Sequence, residues 1–381
     1  MNPDPAVVKM STKNKLIEIA KLFSKLGSIS FGGPAAHIAM MEDEIVSKRK
    51  WISPQHFLDL IGATNLIPGP NSTEMTMHCG YERAGWKGLF VAGFCFILPA
   101  VAITGIFAWL YVEYGHLPNV KPFIYGIKPA VISIIIMAAY KLGKKALKSL
   151  ELGFLGALTI TACLLGLNEI AALFLCGFLG LFLFMIKNRK DSLNSYLPFT
   201  FLTSVPLKVG SIKVFLIFLK VGAILYGSGY VLFAFLDAEL VSNNLLTRQE
   251  LIDAVAFGQF TPGPVLSTAT FIGWQLHGFW GALVATIGIF LPSFIFVGIL
   301  NPLVPKMRKN KAIASFLDAV NIAAVAVILV VCFEMGKETL TDWRMSLIAL
   351  ASLIAVFIFK KLNSAYIVVL SAISGYLLSL V

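Results

Sequence analysis

Two short segments combine proline, glycine and hydroxyl-bearing residues inside an otherwise apolar chain. Residues 66–75 have the sequence LIPGPNSTEM, and residues 260–270 have the sequence FTPGPVLSTAT. A proline ends a helix on its N-terminal side and opens a new one at the first helical position, while the glycine between two prolines permits a turn. Each segment therefore predicts a break, where the second helix begins with its positive dipole end and unpaired N–H groups. Such a helix start binds anions.

The breaks supply most of the candidate substrate-binding residues. The first contributes Pro68, Gly69, Pro70, Asn71, Ser72 and Thr73, and the second contributes Pro262, Gly263, Pro264, Ser267 and Thr268. We expect the glycine N–H groups to stay free for the ligand and the hydroxyls to add donors. Glu74 and His78 share a helix face with Asn71, and that face either carries a coupling proton or lines a cytoplasmic vestibule. His37, further upstream, is a third candidate for coupling.

A second pair of matched segments lies before the breaks. FSKLGSISFGG at 23–33 aligns with FLKVGAILYGS at 218–228. The glycines predict an interruption of the first helix of each segment. The lysines lie inside apolar helices and are candidate counter-charges for an anion, with snorkelling to the membrane interface as the alternative. The substrate-binding candidates from these segments are Lys25, Lys220, Gly32, Gly33 and Gly227.

The composition is that of a polytopic membrane protein. Of 381 residues, 57% are hydrophobic and 13% are charged, and the mean hydropathy is +0.82. Apolar windows such as residues 88–112 are long enough to cross a hydrocarbon layer of roughly 30 Å. The net charge of +11 comes from short basic clusters between these windows, which indicates positive-inside topology rather than nucleic-acid binding. The five cysteines lie singly without CxxC spacing, so neither a metal site nor a disulfide framework is predicted. No cofactor is expected.

The chain contains an internal repeat. The two PGP motifs lie 194 residues apart, and GWKG at 85–88 matches GFWG at 278–281. We predict a first membrane repeat over residues 1–186, a polar cytoplasmic linker over 187–213 and a second repeat over 214–381. The fold class is an all-α integral membrane protein, in which each repeat has a broken first helix, a re-entrant PGP hairpin and four further spans. The expected spans are 87–112, 121–141, 150–166 and 169–187, then 278–300, 312–335, 344–360 and 363–381.

The predicted crossings give the two repeats opposite orientations in the membrane. If each hairpin returns to the side it entered from, each repeat crosses five times, and an odd number inverts the second repeat. The basic clusters can then all face the cytoplasm. The segments left outside are poorer in Lys and Arg, and they are 113–121, 167–169, 237–250, 334–344 and the C-terminus. The lysines of the N-terminal arm do not fit this assignment, because they would lie outside. Either this arm is an exception, or the first broken helix is itself a hairpin. Inverted repeats with matching breaks are typical of secondary transporters, whose site lies between the repeats near the bilayer midplane.

The same motifs carry a family resemblance. SFGGPAAHI, LIPGPNSTEMTMHCGYERAGWKG and FTPGPVLSTATFIGWQLHGFWGALVATIGIFLPSF resemble the chromate transporter family in its two-domain form. The likeness covers nearly the whole chain. It implies a multi-pass carrier in the cell membrane that exports chromate, a tetrahedral dianion shaped like sulfate, and so gives chromate resistance. The implied partners are a small inorganic oxyanion and the lipid bilayer.

Two alternatives share this frame: a transporter of another anion such as sulfate, and a re-entrant-hairpin lipid scramblase or lipid-carrier transporter. An enzyme is not predicted, because no GxSxG with a paired base and no HExxH motif is present. A homodimer is left open. Asp59 and Asp253 each lie nine residues before a PGP motif, and we expect them to be structural and to bridge to a lysine or arginine. Arg83 is expected to be a topology charge.

Overall fold

The structure, a computed structural model, describes residues 11–31, 33–64, 67–115, 117, 120–187, 210–225, 231–300, 311–359 and 364–380. Most of the predicted linker lies outside these ranges. Within them, every regular element is helical. The protein therefore builds its core by packing helix on helix.

The same order of elements occurs twice along the chain. The first set consists of α1 (Thr12–Ile29), α2 (Gly33–Met41, continued by a π-helical turn at Glu42–Lys48), α3 (Pro54–Thr64), α4 (Asn71–Tyr114), α5 (Lys121–Ala146), α6 (Leu150–Leu164) and α7 (Glu169–Lys187). The second consists of α8 (Ser211–Ile224), α9 (Leu232–Leu236, continued by a π-helical turn at Asp237–Val241), α10 (Arg248–Phe260), a 3-10 turn at Val265–Ser267, α11 (Thr268–Leu300), α12 (Lys311–Thr339), α13 (Trp343–Ile358) and α14 (Ser364–Ser379). The π-helical turn recurs at the matching place in each set.

Several of these helices suit a bilayer. Among the described residues, those long and apolar enough to cross are Asn71–Tyr114, Lys121–Ala146, Glu169–Lys187, Val265–Ile299 and Ala314–Thr339. The apolar helices at 150–164, 343–358 and 366–379 are shorter. Large apolar side chains also face outward, with Phe154 69% and Trp280 64% exposed. Such surfaces suit lipid rather than water.

A sharp glycine turn divides α4, and another divides α11. The backbone leaves helical geometry at Gly85 (φ 63°, ψ −151°) and at Gly278 (φ 58°, ψ −151°). On either side of the first turn, Gly80 and Gly88 are so close that a Cβ on either would collide with the carbonyl oxygen of the other. The same contact recurs in α11. The short arm that follows each PGP motif therefore folds back along the longer arm that comes after it.

The two repeats share one core. The long arms of α4 and α11 run antiparallel: Phe90 stacks on Phe294 with 5.6 Å between ring centroids, and Trp86, one turn earlier, packs on Gly298, one turn later. Around this pair, α5 packs on α13 and α14, while α12 packs on α6 and α7. Each repeat therefore covers apolar faces of the other.

Candidate functional site

The glycine of each PGP motif has a backbone conformation that L-residues rarely adopt. The φ angle is +141° at Gly69 and +86° at Gly263, a region that is open to glycine because it has no Cβ. Around the first motif, helical geometry stops at Thr64 and resumes at Asn71. The second motif lies between α10 and the 3-10 turn that leads into α11. Both motifs are therefore turns between two helical segments.

Each turn is tied to the opposite repeat by a backbone hydrogen bond. The N–H of Gly69 donates to the carbonyl of Leu225 at 2.6 Å, and the N–H of Gly263 donates to the carbonyl of Ser30 at 2.8 Å. Ser30 and Leu225 directly follow α1 and α8, where the first helix of each repeat ends. The expectation that the two glycine N–H groups stay free for a ligand is therefore wrong. They connect the repeats instead.

His37 reinforces one of these connections. Its ring is buried, and Nε2 lies 3.1 Å from the Ser30 carbonyl oxygen that also accepts from Gly263. Because a carbonyl oxygen only accepts, Nε2 carries the proton in this contact. The ring also packs edge-on against Phe96, with 5.7 Å between centroids. His37 thus holds the end of α1 in place, whatever part it has in coupling.

A cluster of buried polar side chains surrounds the first turn. Ser72 is 2% exposed, and Thr73 and Glu74 are fully buried. A Cβ on Gly69 would collide with Oε1 of Glu74 and would lie 2.6 Å from Oγ of Ser293, which α11 contributes from the other repeat. Thr73 Oγ1, both Glu74 oxygens and Ser293 Oγ have no hydrogen-bond partner among the described residues. Since buried polar atoms are normally satisfied, these side chains are strong candidates for contacting a bound solute.

The second turn is chemically different. Thr104 of α4 donates to Ser267 Oγ at 3.1 Å, and Thr268 donates to the carbonyl of Val265 at 2.8 Å. Ala100 takes the place over Gly263 that Ser293 takes over Gly69. Of the two hydroxyls predicted to bind substrate at this turn, Thr268 therefore donates within its own turn, and Ser267 accepts a hydrogen bond from α4. The two turns have the same backbone plan but different side-chain chemistry.

The paired lysines form internal ion pairs. Nζ of Lys25 lies 3.5 Å from Oε1 of Glu44, and Nζ of Lys220 lies 2.7 Å from Oε1 of Glu239. Both glutamates belong to the π-helical turns. The Lys25 side chain is 58% exposed and that of Lys220 is 29% exposed. Each lysine thus has a counter-ion in its own repeat.

The remaining candidates lie in varied surroundings. Asn71 begins α4 and is half-buried, and His78, two turns further on, is fully buried. Gly33 begins α2 with φ +78°. Gly32 and Gly227 lie outside the described residues.

The expected bridge from Asp253 to a basic residue is confirmed. Asp253 lies 3.0 Å from the ammonium of Lys128 on α5 and accepts a hydrogen bond of 2.6 Å from the hydroxyl of Tyr111. The side chain of Asp59 lies outside the described residues. Arg83 lies at the glycine turn of α4, where its guanidinium is 2.8 Å from Glu18. Arg83 therefore links the glycine turn of α4 to α1 through Glu18.

Ser293 was not among the residues predicted from the sequence. It follows Pro292 in an LPS triplet, and the matching triplet in the first repeat is LPA, ending at Ala100. That difference between two otherwise equal motifs was visible in the sequence. Its meaning was not, because nothing local indicates that Ser293 lies against Gly69.

Comparison with known proteins agrees with this two-repeat architecture. The family model described as "Chromate transporter" matches the chain twice, over residues 17–181 and 212–376. The chain belongs to the chromate transporter family. The two matches, one on each repeat, show the two-domain form, so the protein is a multi-pass membrane transporter built from two copies of the family unit.

Full-length relatives of this transporter are known in several bacteria. It is 31% identical to a probable chromate transport protein of Synechococcus elongatus, with 98% of each chain covered. It is 30% identical to a chromate transport protein of Cupriavidus metallidurans, covering 94% of this chain and 92% of the relative. A chromate transport protein of Pseudomonas aeruginosa is 27% identical, with 93% and 90% covered. No solved structure matches the chain.

Proposed function

We propose that this protein is a secondary transporter that exports chromate across the cell membrane and so gives chromate resistance. The observation that carries the proposal is the convergence of Glu74 and Ser293 on Gly69, with Thr73 next to Glu74 in the chain. The side chains of all three are buried, and Thr73 Oγ1, both Glu74 oxygens and Ser293 Oγ have no hydrogen-bond partner among the described residues. Both repeats contribute to this cluster, as expected of a carrier whose substrate lies between its repeats. The relatives named chromate transport proteins support chromate as the substrate.

A tetrahedral dianion at this turn would meet several donors. The hydroxyls of Ser72, Thr73 and Ser293 can each donate one hydrogen bond. The start of α4 adds its first N–H groups and its positive dipole end. Because the Gly69 N–H is bonded to Leu225, we expect the substrate to contact the first turn of α4 rather than the glycine itself.

The bonds between repeats suggest how the site could change its access. Each PGP turn is held by the end of the first helix of the opposite repeat, so a rocking of one repeat against the other would displace both turns together. The antiparallel packing of α4 and α11 supports the inverted arrangement of the repeats. Inverted repeats that rock around a central site are a common design for alternating access.

Membrane potential is a sufficient driving force. Moving one elementary charge through 100 mV is worth roughly 2.3 kcal/mol, so a dianion that leaves a negative interior gains about 4.6 kcal/mol. A deprotonated Glu74 would repel a dianion at the same turn, so we infer that substrate binds with Glu74 protonated. If that proton leaves with the substrate, one net charge moves and the gain at the same potential falls to about 2.3 kcal/mol.

The test uses inside-out membrane vesicles, whose outer surface is the cytoplasmic face. We expect chromate to accumulate in vesicles with the protein and not in vesicles without it. Over an external pH range in which chromate stays a dianion, lowering the pH should speed uptake more in the wild type than in Glu74→Gln, because protonation of Glu74 removes the repulsion. Glu82→Gln is the matched control on the same helix, since Glu82 is exposed and pairs with His56 at 3.2 Å.

Each part of the proposal has its own refutation. Absence of chromate accumulation in wild-type vesicles would overturn the transport function, and movement of labelled lipid without anion flux would favour a lipid carrier. Accumulation of sulfate in preference to chromate would change the substrate. Equal pH dependence in the wild type and in Glu74→Gln would remove Glu74 from coupling while leaving chromate transport in place.

A further inference from the structure

A polar cavity lies away from the PGP turns, at the end of the molecule where α4 stops and α5, α10 and α13 begin. Its volume is about 300 Å³, well above the roughly 10–15 Å³ that a single water molecule needs on this measure. The polar groups of its wall are Tyr111, Lys121, Tyr125, Lys128, Gln249 and Asp253. The cavity therefore admits a small hydrated solute and offers it ammonium, hydroxyl and amide groups.

Two lysines set the charge of this cavity. Lys128 is only 8% exposed and is neutralised by Asp253 at 3.0 Å. Tyr125 donates to Asp342 at 3.0 Å, which places a further carboxylate behind the wall. Lys121 is exposed and has no ion pair among the described residues. Its ammonium therefore lacks a direct counter-ion, while the Asp342 carboxylate and that of Glu250, beside Asp253, lie near the cavity.

Helix α10 runs from the cavity, where it contributes Gln249 and Asp253, to the second PGP turn. Tyr111, whose hydroxyl is bonded to Asp253, packs against Phe257 and Phe271 with ring centroids 5.7 Å and 5.3 Å apart. Phe257 and Phe271 in turn stack on each other at 5.0 Å. Phe257 lies one turn before Thr261, at the end of α10. These aromatic rings therefore separate the cavity from the turn.

We propose that this cavity is an oxyanion-binding vestibule on the outer face of the membrane, with Lys121 and Lys128 as its cationic ligands. The side follows from the inverted topology, in which the loops around 113–121, 237–250 and 334–344 face outward. The vestibule receives a tetrahedral dianion after it passes the aromatic rings, and Lys128 exchanges part of its pairing with Asp253 for the substrate. The inference rests on the proposed function for the identity of the anion, but its test does not require transport.

The test measures the reactivity of a cysteine placed in the vestibule. Gln249→Cys is the test variant, because Gln249 is half-buried in the cavity wall. Ser242→Cys is the control variant, because Ser242 is exposed on the same outer loop. The unaltered chain measures the background labelling of the native cysteines. Anionic and cationic methanethiosulfonate reagents of similar size are applied to right-side-out vesicles. Sulfate and molybdate serve as protecting dianions at constant ionic strength, because chromate itself oxidises thiols.

We expect the ratio of the anionic to the cationic reaction rate to be higher at Gln249→Cys than at Ser242→Cys. Adding Lys121→Gln should slow the anionic reagent about threefold, as expected for one partly screened unit charge. Electrostatic energy is proportional to ligand charge, so the half-protecting concentration of a dianion should rise about ninefold. Lys121 is exposed, so this substitution leaves the folded core intact.

The outcomes separate the vestibule from the proposed function. Failure of both dianions to protect Gln249→Cys, or protection that Lys121→Gln leaves unchanged, would overturn the vestibule. Labelling of Gln249→Cys from the cytoplasmic face alone would also overturn its outer position. Protection of Gln249→Cys in a protein that moves no chromate would support the vestibule and refute the proposed function.

Discussion

The sharpest test of the first PGP turn is the substitution Gly69→Ala. A methyl group at this position meets two obstacles at once. The backbone has φ +141°, and the new Cβ would collide with Oε1 of Glu74 and lie 2.6 Å from Oγ of Ser293. Both neighbours belong to the proposed substrate site, so the damage falls on that site.

The expected loss can be estimated from these contacts. A non-glycine residue held in such a backbone region costs about 1–3 kcal/mol. Moving the Glu74 side chain out of its rotamer costs about 0.5–1.5 kcal/mol more. A total of roughly 1.5–4.5 kcal/mol against the transport-competent geometry reduces its population by about 10- to 1,600-fold. We therefore expect the initial rate of transport to fall by about that factor.

The assay is the initial rate of chromate uptake into inside-out vesicles, divided by the amount of folded protein in the membrane. Gly85→Ala is the matched control. Gly85 also has a positive φ, of 63°, but a Cβ there would meet nothing within 4 Å. We expect Gly85→Ala to lower the melting temperature while keeping the rate per folded molecule within a factor of about two, since its strain is remote from the site.

Wild-type rates in a well-folded Gly69→Ala protein would refute the reasoning, and equal losses in Gly69→Ala and Gly85→Ala would attribute the effect to strain alone.

Gly69→Val and Gly263→Val should both abolish transport, because a β-branched residue takes a positive φ even less readily. At Gly263 the obstacles are Ala100 Cβ and the Gly27 carbonyl oxygen, each 3.0 Å from the new Cβ. Normal transport in both valine variants would make the turns packing devices only.

Three further outcomes are expected. Thr73→Ala should raise the half-saturating chromate concentration about five- to tenfold by removing one hydrogen bond; an unchanged value means that the hydroxyl does not touch substrate. Lys220→Ala should weaken chromate uptake more than Lys25→Ala, since Lys220 is less exposed, and neither should prevent membrane insertion. Full chromate uptake by both single lysine variants and by the double variant would refute the counter-charge role. Cysteines at Ser47 and Ser242 should react with impermeant reagents from opposite sides, whereas labelling from one side would indicate a parallel repeat.

The sequence was least informative about partners that lie far apart along the chain. Lys25 and Lys220 occupy matching positions of the aligned segments, yet only the packing shows that each lysine binds a glutamate of its own repeat, Glu44 or Glu239. Lys128 lies in an apolar helix without a motif around it, and its partner Asp253 is on a helix of the other repeat. Patterns of neighbouring residues carry no record of such pairs.

The sequence by itself determined the membrane class, the duplication and the positions of the two PGP turns. These follow from local chemistry: long apolar windows, the fixed φ of proline, and the freedom of glycine to take a positive φ. Only the tertiary structure decided what those turns contact. It bonded the Gly69 N–H to Leu225 and placed Ser293 over Gly69, while the hydroxyls of the second turn were bonded within the protein. Apart from the local bond of Thr268, these contacts arise where the two repeats pack against each other, so two turns with nearly the same local sequence acquire different chemistry.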